Sequence, residues 1–242
     1  EKCCHGGYQM SRKSAILAVA ILLLNFNTVV ACDNIQIIRS DISNKELLVQ
    51  SGDKLLLSKE WYGYEFEINP SDTAGPLKLQ AVDDEEYMAA LREVRFPLDA
   101  VGEYKIHFLT YKLKNNSSTL ALSFEDGSAV VFGTYAPLPK EKLHRLAVHE
   151  LGHEVDFSLM DKEKWAEYKK LRGISDEEIY NNYTEVYENR PQEIFAEDFR
   201  LLFGGDAAVA AAHLNSELKN PDQIPGLKEF FLSLIENIPS HE

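Results

Sequence analysis

The sequence predicts an α+β domain, and three observations carry that expectation. Strand-like runs fill the first half around one early helix, helical apolar spacing fills the second half, and no internal repeat or low-complexity linker divides the chain. Strands first and helices after is the layout of an α+β fold, here an N-terminal mixed sheet followed by a C-terminal helical half. At 242 residues the chain is long enough for one substantial core, and residues 33–242 are read as a single domain. A composition 45% hydrophobic and 26% charged excludes a disordered or fully membrane-embedded chain.

The first 32 residues are set apart from the fold. Residues 1–9 read as an upstream extension or a cloning remnant ahead of Met10. From Met10, Arg12 and Lys13 precede an apolar run over residues 15–24, the pattern of a signal peptide, and the run is too short for a membrane span. Val29-Val30-Ala31-Cys32 resembles a bacterial lipobox, in which Cys32 is lipidated; the alternative is ordinary cleavage after Ala31. Residues 10–32 are therefore the leader. The mature protein is expected outside the cytoplasm, as a cell-surface lipoprotein or a secreted protein, touching the membrane through that anchor alone. Cys3, Cys4 and Cys32 are the three cysteines, so no disulfide framework is expected in the mature domain. The formal net charge is −14, and removing Lys2, Arg12 and Lys13 with Glu1 makes it more negative. That balance argues against nucleic acid, whose phosphates need lysine and arginine stripes.

Along the mature chain, residues 45–50 and 54–58 flank Ser51-Gly52-Asp53 as a hairpin. Residues 69–76 carry turn chemistry throughout. Asp83, Asp84, Glu85 and Glu86 place acids at the start of a helix running to Val94, where they suit its dipole. Strands follow over residues 104–113, 119–124 and 129–135. Asn115-Asn116-Ser117-Ser118 and Asp126-Gly127 are expected to close hairpins between them. Pro139 opens a helix to Leu159, and further helices are expected over residues 162–172, 191–203, 206–219 and 226–238, punctuated by Gly204, Gly205, Pro221 and Pro225.

The segment His149-Glu150-Leu151-Gly152-His153 carries the chemistry. Residues four apart share one helix face, so His149 and His153 can offer two imidazole nitrogens to one tetrahedral Zn²⁺. Glu150 can reach a water on that metal without ligating it and serve as general base. Leu143, Val148, Leu151, Val155 and Leu159 supply an apolar stripe to bury. A chance match of this pattern in a chain of this size is on the order of one per cent. A catalytic zinc takes three protein ligands and one open position. The residues after His153 supply no third histidine: Asp156 and Leu159 stand where the metzincin extension needs Gly and His.

The third ligand is then expected on a later helix, and Glu193 is the best candidate. Glu185, Glu188 and Asp198 are the alternatives. Glu193 and Glu197 share a face of the helix that begins near Pro191, so Glu193 could bind zinc while Glu197 accepts the ring N–H of a ligand histidine. Asp156, seven residues after His149, could give similar support. Tyr187, with Tyr183 second, could donate to the oxyanion of a tetrahedral intermediate. His107, His144 and His213 have no motif around them and are read as surface or core residues.

His149-Glu150-Leu151-Gly152-His153-Glu154-Val155-Asp156, followed by Pro191-Gln192-Glu193-Ile194-Phe195-Ala196-Glu197-Asp198-Phe199, resembles the anthrax lethal factor catalytic-domain family, which includes the Pro-Pro endopeptidases. The resemblance covers residues 139–203. It implies a zincin-like gluzincin fold, one Zn²⁺ per chain with Glu193 as third ligand, and a tyrosine before that glutamate that assists catalysis. Ile194 stands where the family usually has an aromatic residue, and Tyr187 lies one residue closer to the glutamate than the family's tyrosine.

Together these features lead us to expect a zinc metalloendopeptidase, monomeric and acting on a polypeptide in extended form. A strand over residues 129–135, at the sheet edge, would receive that substrate. The other classes considered are an anchored zincin-fold binding module without turnover and a secreted toxin-like protease.

Overall fold

In the computed structural model, residues 34–39, 48–51, 54–57, 67–69, 79–113, 118–175 and 186–236 are described. The segment expected to be a leader with a lipobox, the turn-rich segment after Asn69, Tyr183 and Glu185 lie outside the described residues. Among those described, no helix is long and apolar enough to cross a membrane.

Among the described residues the architecture is α+β, with two small sheets and six α-helices. β1 (Ile35–Arg39), β5 (Tyr104–Phe108), β7 (Ala121–Phe124) and β8 (Ser128–Val131) form a mixed sheet in the order β1-β5-β8-β7. β1 and β8 run parallel to β5, whereas β7 is antiparallel to β8. The second sheet is an antiparallel meander of β2 (Leu48–Ser51), β3 (Lys54–Leu57), β4 (Glu67–Asn69) and β6 (Lys112–Leu113). Its β2–β3 pair, with Ser51 opposite Lys54, is the first hairpin expected from sequence.

Side-chain alternation explains how β8 is buried on both faces. Ala129 and Val131 join the main core, and Val130 and Phe132 join a second cluster with Leu109, Tyr111, Leu113 and Phe124. Two features of the strands correct the sequence expectations. The run over residues 104–113 does not form a hairpin with 119–124: it divides, β5 entering between β1 and β8 while β6 joins the other sheet. Tyr104, Ile106, His107 and Phe108 are all buried, which suits a strand flanked on both sides rather than a hairpin arm. For the same reason residues 129–135 are no edge. β8 is hydrogen-bonded to β5 and β7, and the outer strand next to it is β7.

α1 (Asp84–Arg92) starts at Asp83, whose carboxylate accepts the Glu86 N–H at 3.0 Å. α2 (Lys140–Leu159) follows Pro139 and buries Leu143, Ala147, Val148, Leu151 and Val155 in the core. α3 (Lys162–Arg172) begins at Asp161, which accepts the Lys164 N–H at 2.8 Å, and stops at Gly173, whose φ of 79° favours glycine. α4 (Pro191–Phe203) has proline in its first turn. Its Phe195, Phe199 and Phe203 pack with Phe231 of α6 (Leu227–Glu236), with ring centroids 4.7, 6.0 and 5.7 Å apart. Burying such aromatic surface is the main force seating the C-terminal half.

The helix expected over 206–219 is corrected to a four-residue α5 (Asp206–Val209). The buried Arg200 guanidinium donates to the carbonyls of Ala208, Ala211 and Ala212, and Leu214 donates its N–H to Glu197. Those bonds satisfy backbone groups that a continuing helix would have used, so the chain leaves the helical path.

Candidate metal centre

α2 and α4 cross at Gly152. A Cβ at that position would stand 2.8 Å from the Ala196 Cα and 2.9 Å from its carbonyl oxygen, so only glycine allows the two backbones this close. The approach brings the turn carrying His149 and His153 against the turn carrying Glu193 and Glu197.

His149, His153 and Glu193 are buried, and each offers a ligand atom within 4.8 Å of the others. Glu193 Oε2 lies 3.1 Å from His149 Nε2 and 3.4 Å from His153 Nε2. Two imidazole nitrogens and one carboxylate oxygen converging from two helices are a donor set that could hold a metal ion. Asp198, one of the alternative ligands, is engaged elsewhere. It accepts the Tyr168 hydroxyl at 2.7 Å and lies 3.0 Å from Arg172 Nε and 3.4 Å from His213 Nε2. Glu188 is exposed on the 3-10 turn Tyr187–Asn189.

Glu197 is completely buried, and five donors surround its two oxygens. His149 Nδ1 is 3.0 Å from one oxygen, Arg200 grips both at 3.0 and 2.8 Å, and the Leu214 N–H and Arg145 Nη2 approach at 3.1 and 3.4 Å. This orients the His149 ring so that Nε2 faces Glu193. Glu150 is buried beside the first histidine and accepts the Ser123 hydroxyl at 2.7 Å, which ties α2 to the outer strand β7. Asp156, buried one turn beyond His153, accepts the Trp165 indole N–H at 3.0 Å and fastens the end of α2 to α3.

Tyr187 reaches the cluster from the 3-10 turn before α4. Although the residue is 44% exposed, its hydroxyl lies 3.3 Å from His149 Nε2 and within hydrogen-bonding reach of Glu193. Burial and the neighbouring Glu193 and Glu150 charges raise the phenol far above its usual range, so it stays protonated and able to donate.

The electrostatics follow from this packing. Burial disfavours a charged His149, but the carboxylates of Glu193 and Glu197 outweigh it and push the imidazole up to about 10. Burial also opposes the charge on Glu193, and the His153 and His149 rings more than offset it, holding that carboxyl well below the usual range. Glu197 is likewise held low against burial by His149 and Arg200.

The three histidines without a motif are buried side chains away from this cluster. His107 sits on β5, His144 packs 2.6 Å from Glu86 between α1 and α2, and His213 faces Asp198.

Sequence reasoning passed over four residues here. Arg200, three after Glu197 on one helix, and Gly152, a glycine inside a helix, both carried a readable signal. Ser123 and Asn215 carried none, because the bonds that bring them to the site, to Glu150 and to the turn residue Asn189, join segments far apart in sequence. No family model, curated protein or solved structure matches this chain.

Proposed function

We propose that this chain is a zinc-dependent endopeptidase with a zincin-like fold of the gluzincin type, the class implied by its resemblance to the anthrax lethal factor catalytic-domain family. The observation that carries this reading is the convergence of His149, His153 and Glu193 ligand atoms with Glu150 adjacent on the same helix. Those three residues would hold one Zn²⁺, which supplies Lewis acidity: it acidifies water and polarises a carbonyl oxygen.

The chain's own groups do the rest. Glu150, oriented by the Ser123 hydroxyl, takes the proton of the attacking water and delivers it to the leaving amine. Tyr187 donates its phenolic proton in a hydrogen bond to the oxygen that gains charge in the transition state. Glu197 keeps His149 in the orientation a metal ligand needs. An extended peptide would add to β7, the outer strand beside α2, through main-chain hydrogen bonds. The protein acts as a monomer outside the cytoplasm, secreted or anchored through Cys32, and labelled-lipid incorporation that depends on Cys32 tests the anchor.

The decisive experiment is Glu150→Gln, assayed with a peptide library with and without chelator. Zinc content should be unchanged while cleavage falls by about 10²–10⁴-fold. Zinc-loaded wild-type protein that cleaves nothing in the library would overturn the reading in favour of a binding module.

A further inference from the structure

The phenol of Tyr187 sits on a short 3-10 turn with no side-chain cap, where the Arg190 guanidinium lies 5.7 Å from its ring centroid. A further tie comes from another part of the chain. Asn215, buried in the irregular stretch after α5, donates from Nδ2 to Asn189 Oδ1 at 2.8 Å, and Asn189 is the last residue of the Tyr187 turn. Asn215 is itself held. Its Oδ1 accepts the Glu217 N–H at 2.9 Å, its own N–H donates to His213 Nδ1 at 3.0 Å, and its neighbour Leu214 donates to Glu197 at 3.1 Å. Glu197 in turn accepts from His149.

We infer that Asn215 and Asn189 form a latch that positions Tyr187 over the metal ligands, making both asparagines positioning residues for the reaction proposed above. The chain of bonds His149–Glu197–Leu214–Asn215–Asn189 starts at a ligand histidine and ends on the turn that carries the phenol. The stretch that fails to continue as helix after Val209 therefore serves the site, since its backbone is held on Glu197 and Arg200 so that Asn215 can reach Asn189. The latch rests on the endopeptidase reading for its catalytic consequence but not for its existence.

Asn189 is exposed, so Asn189→Ala leaves the core untouched, and Asn189→Asp keeps an acceptor for the Asn215 carboxamide. In the zinc-loaded protein, Asn189→Ala should lower kcat about tenfold with KM and zinc affinity within about twofold of wild type, and Asn189→Asp should restore most of the loss. In a Tyr187→Phe background the same alanine substitution should cost less than about twofold, because the group it positions is gone. Additive losses in that cycle, or zinc affinity falling in step with kcat, would overturn the latch.

A second readout needs no turnover. The Asn189 and Arg190 amides, bonded to the Val186 and Tyr187 carbonyls, should exchange with solvent about tenfold faster in both Asn189→Ala and Asn215→Ala, while the amides of α2 stay unchanged. Unchanged exchange at those two amides refutes the latch. Faster exchange in a protein that cleaves no peptide upholds the latch and refutes only the endopeptidase reading.

Discussion

Gly152→Ala separates two opposite outcomes in one substitution. On helix propensity alone, alanine inside α2 should stabilise the protein by about 0.5–1 kcal/mol over glycine. The packing predicts the reverse. The new Cβ would stand 2.8 Å from the Ala196 Cα, 2.9 Å from its oxygen and 3.2 Å from its carbonyl carbon, where ordinary contacts begin at 3.4 Å. All three neighbours are backbone atoms, so no rotamer change relieves the contact and α2 must part from α4 by about 0.6 Å. Overpacking of this kind costs about 1–3 kcal/mol. For a domain of this size that is a fall in Tm of roughly 2–12 °C.

The same movement pulls Glu193 and Glu197 away from His149 and His153, since Ala196 lies between the two glutamates on α4. Metal sites tolerate ligand displacements of only about 0.2 Å, so zinc affinity should fall about 10–100-fold. Thermal melts with and without chelator, and competition against a chromophoric chelator, measure both effects. A variant that melts higher than wild type and binds zinc equally well would show that the helices do not meet at Gly152.

Two further predictions concern the charges. Arg200→Met leaves Glu197 buried without its main cation and should cost about 3–5 kcal/mol in denaturant unfolding, with weaker zinc binding as a second readout. An unchanged midpoint would mean that Arg145 and His149 suffice for Glu197. In chelator-stripped protein His149 titrates at about 10, so zinc must displace a proton: affinity should rise with pH, with close to one proton released at neutral pH by calorimetry in two buffers. The raised imidazole stabilises the stripped fold fully below pH 6.5, and that contribution is lost as pH rises through about 10. The stripped protein should therefore lose Tm over that interval more than the zinc-loaded one does.

Helix positions were the most legible part of the fold, because each depends on neighbours in sequence. Asp83, Pro139, Asp161 and Pro191 act at helix starts through bonds or torsions within a few residues, and α1, α2, α3 and α4 begin close to where those residues place them. Strand pairing was less legible. Residues 104–108 are apolar enough for any sheet position, and nothing local says that β5 lies between β1 and β8. The failed helix after Val209 has the same origin. Ala207 to Ala212 favour helix by themselves, but Arg200 and Glu197, from a different element, claim the backbone groups. In the site, spacing brought His149, Glu150 and His153 onto one helix, whereas the crossing at Gly152 and the bond from Asn215 exist only once the chain has folded.

The charge balance around α4 leads to a last prediction. Asp198 pairs with Arg172, and Glu197 pairs with Arg200 and Arg145, so each has a permanent cation beside it. Glu193 is also buried, but among the described residues its ion pairs are with His149 and His153. An imidazole is a cation only while it holds its second proton, so Glu193 depends on protonated histidine or on a metal for compensation. A metal bound to the native state alone then adds directly to stability. At 100 to 1,000 times its Kd the gain is about 2.7–4.1 kcal/mol, a rise in Tm of roughly 5–16 °C. Glu193→Gln replaces the charge with a carboxamide of the same shape, which needs no cation and makes a poor ligand. It should lower the Tm of the stripped protein at neutral pH, because the protonated His149 keeps only Glu197 as a carboxylate partner, and abolish most of the zinc-dependent rise. A variant whose Tm climbs with zinc as steeply as wild type would remove Glu193 from the ligand set, and with it the reading of this cluster as a glutamate-completed site.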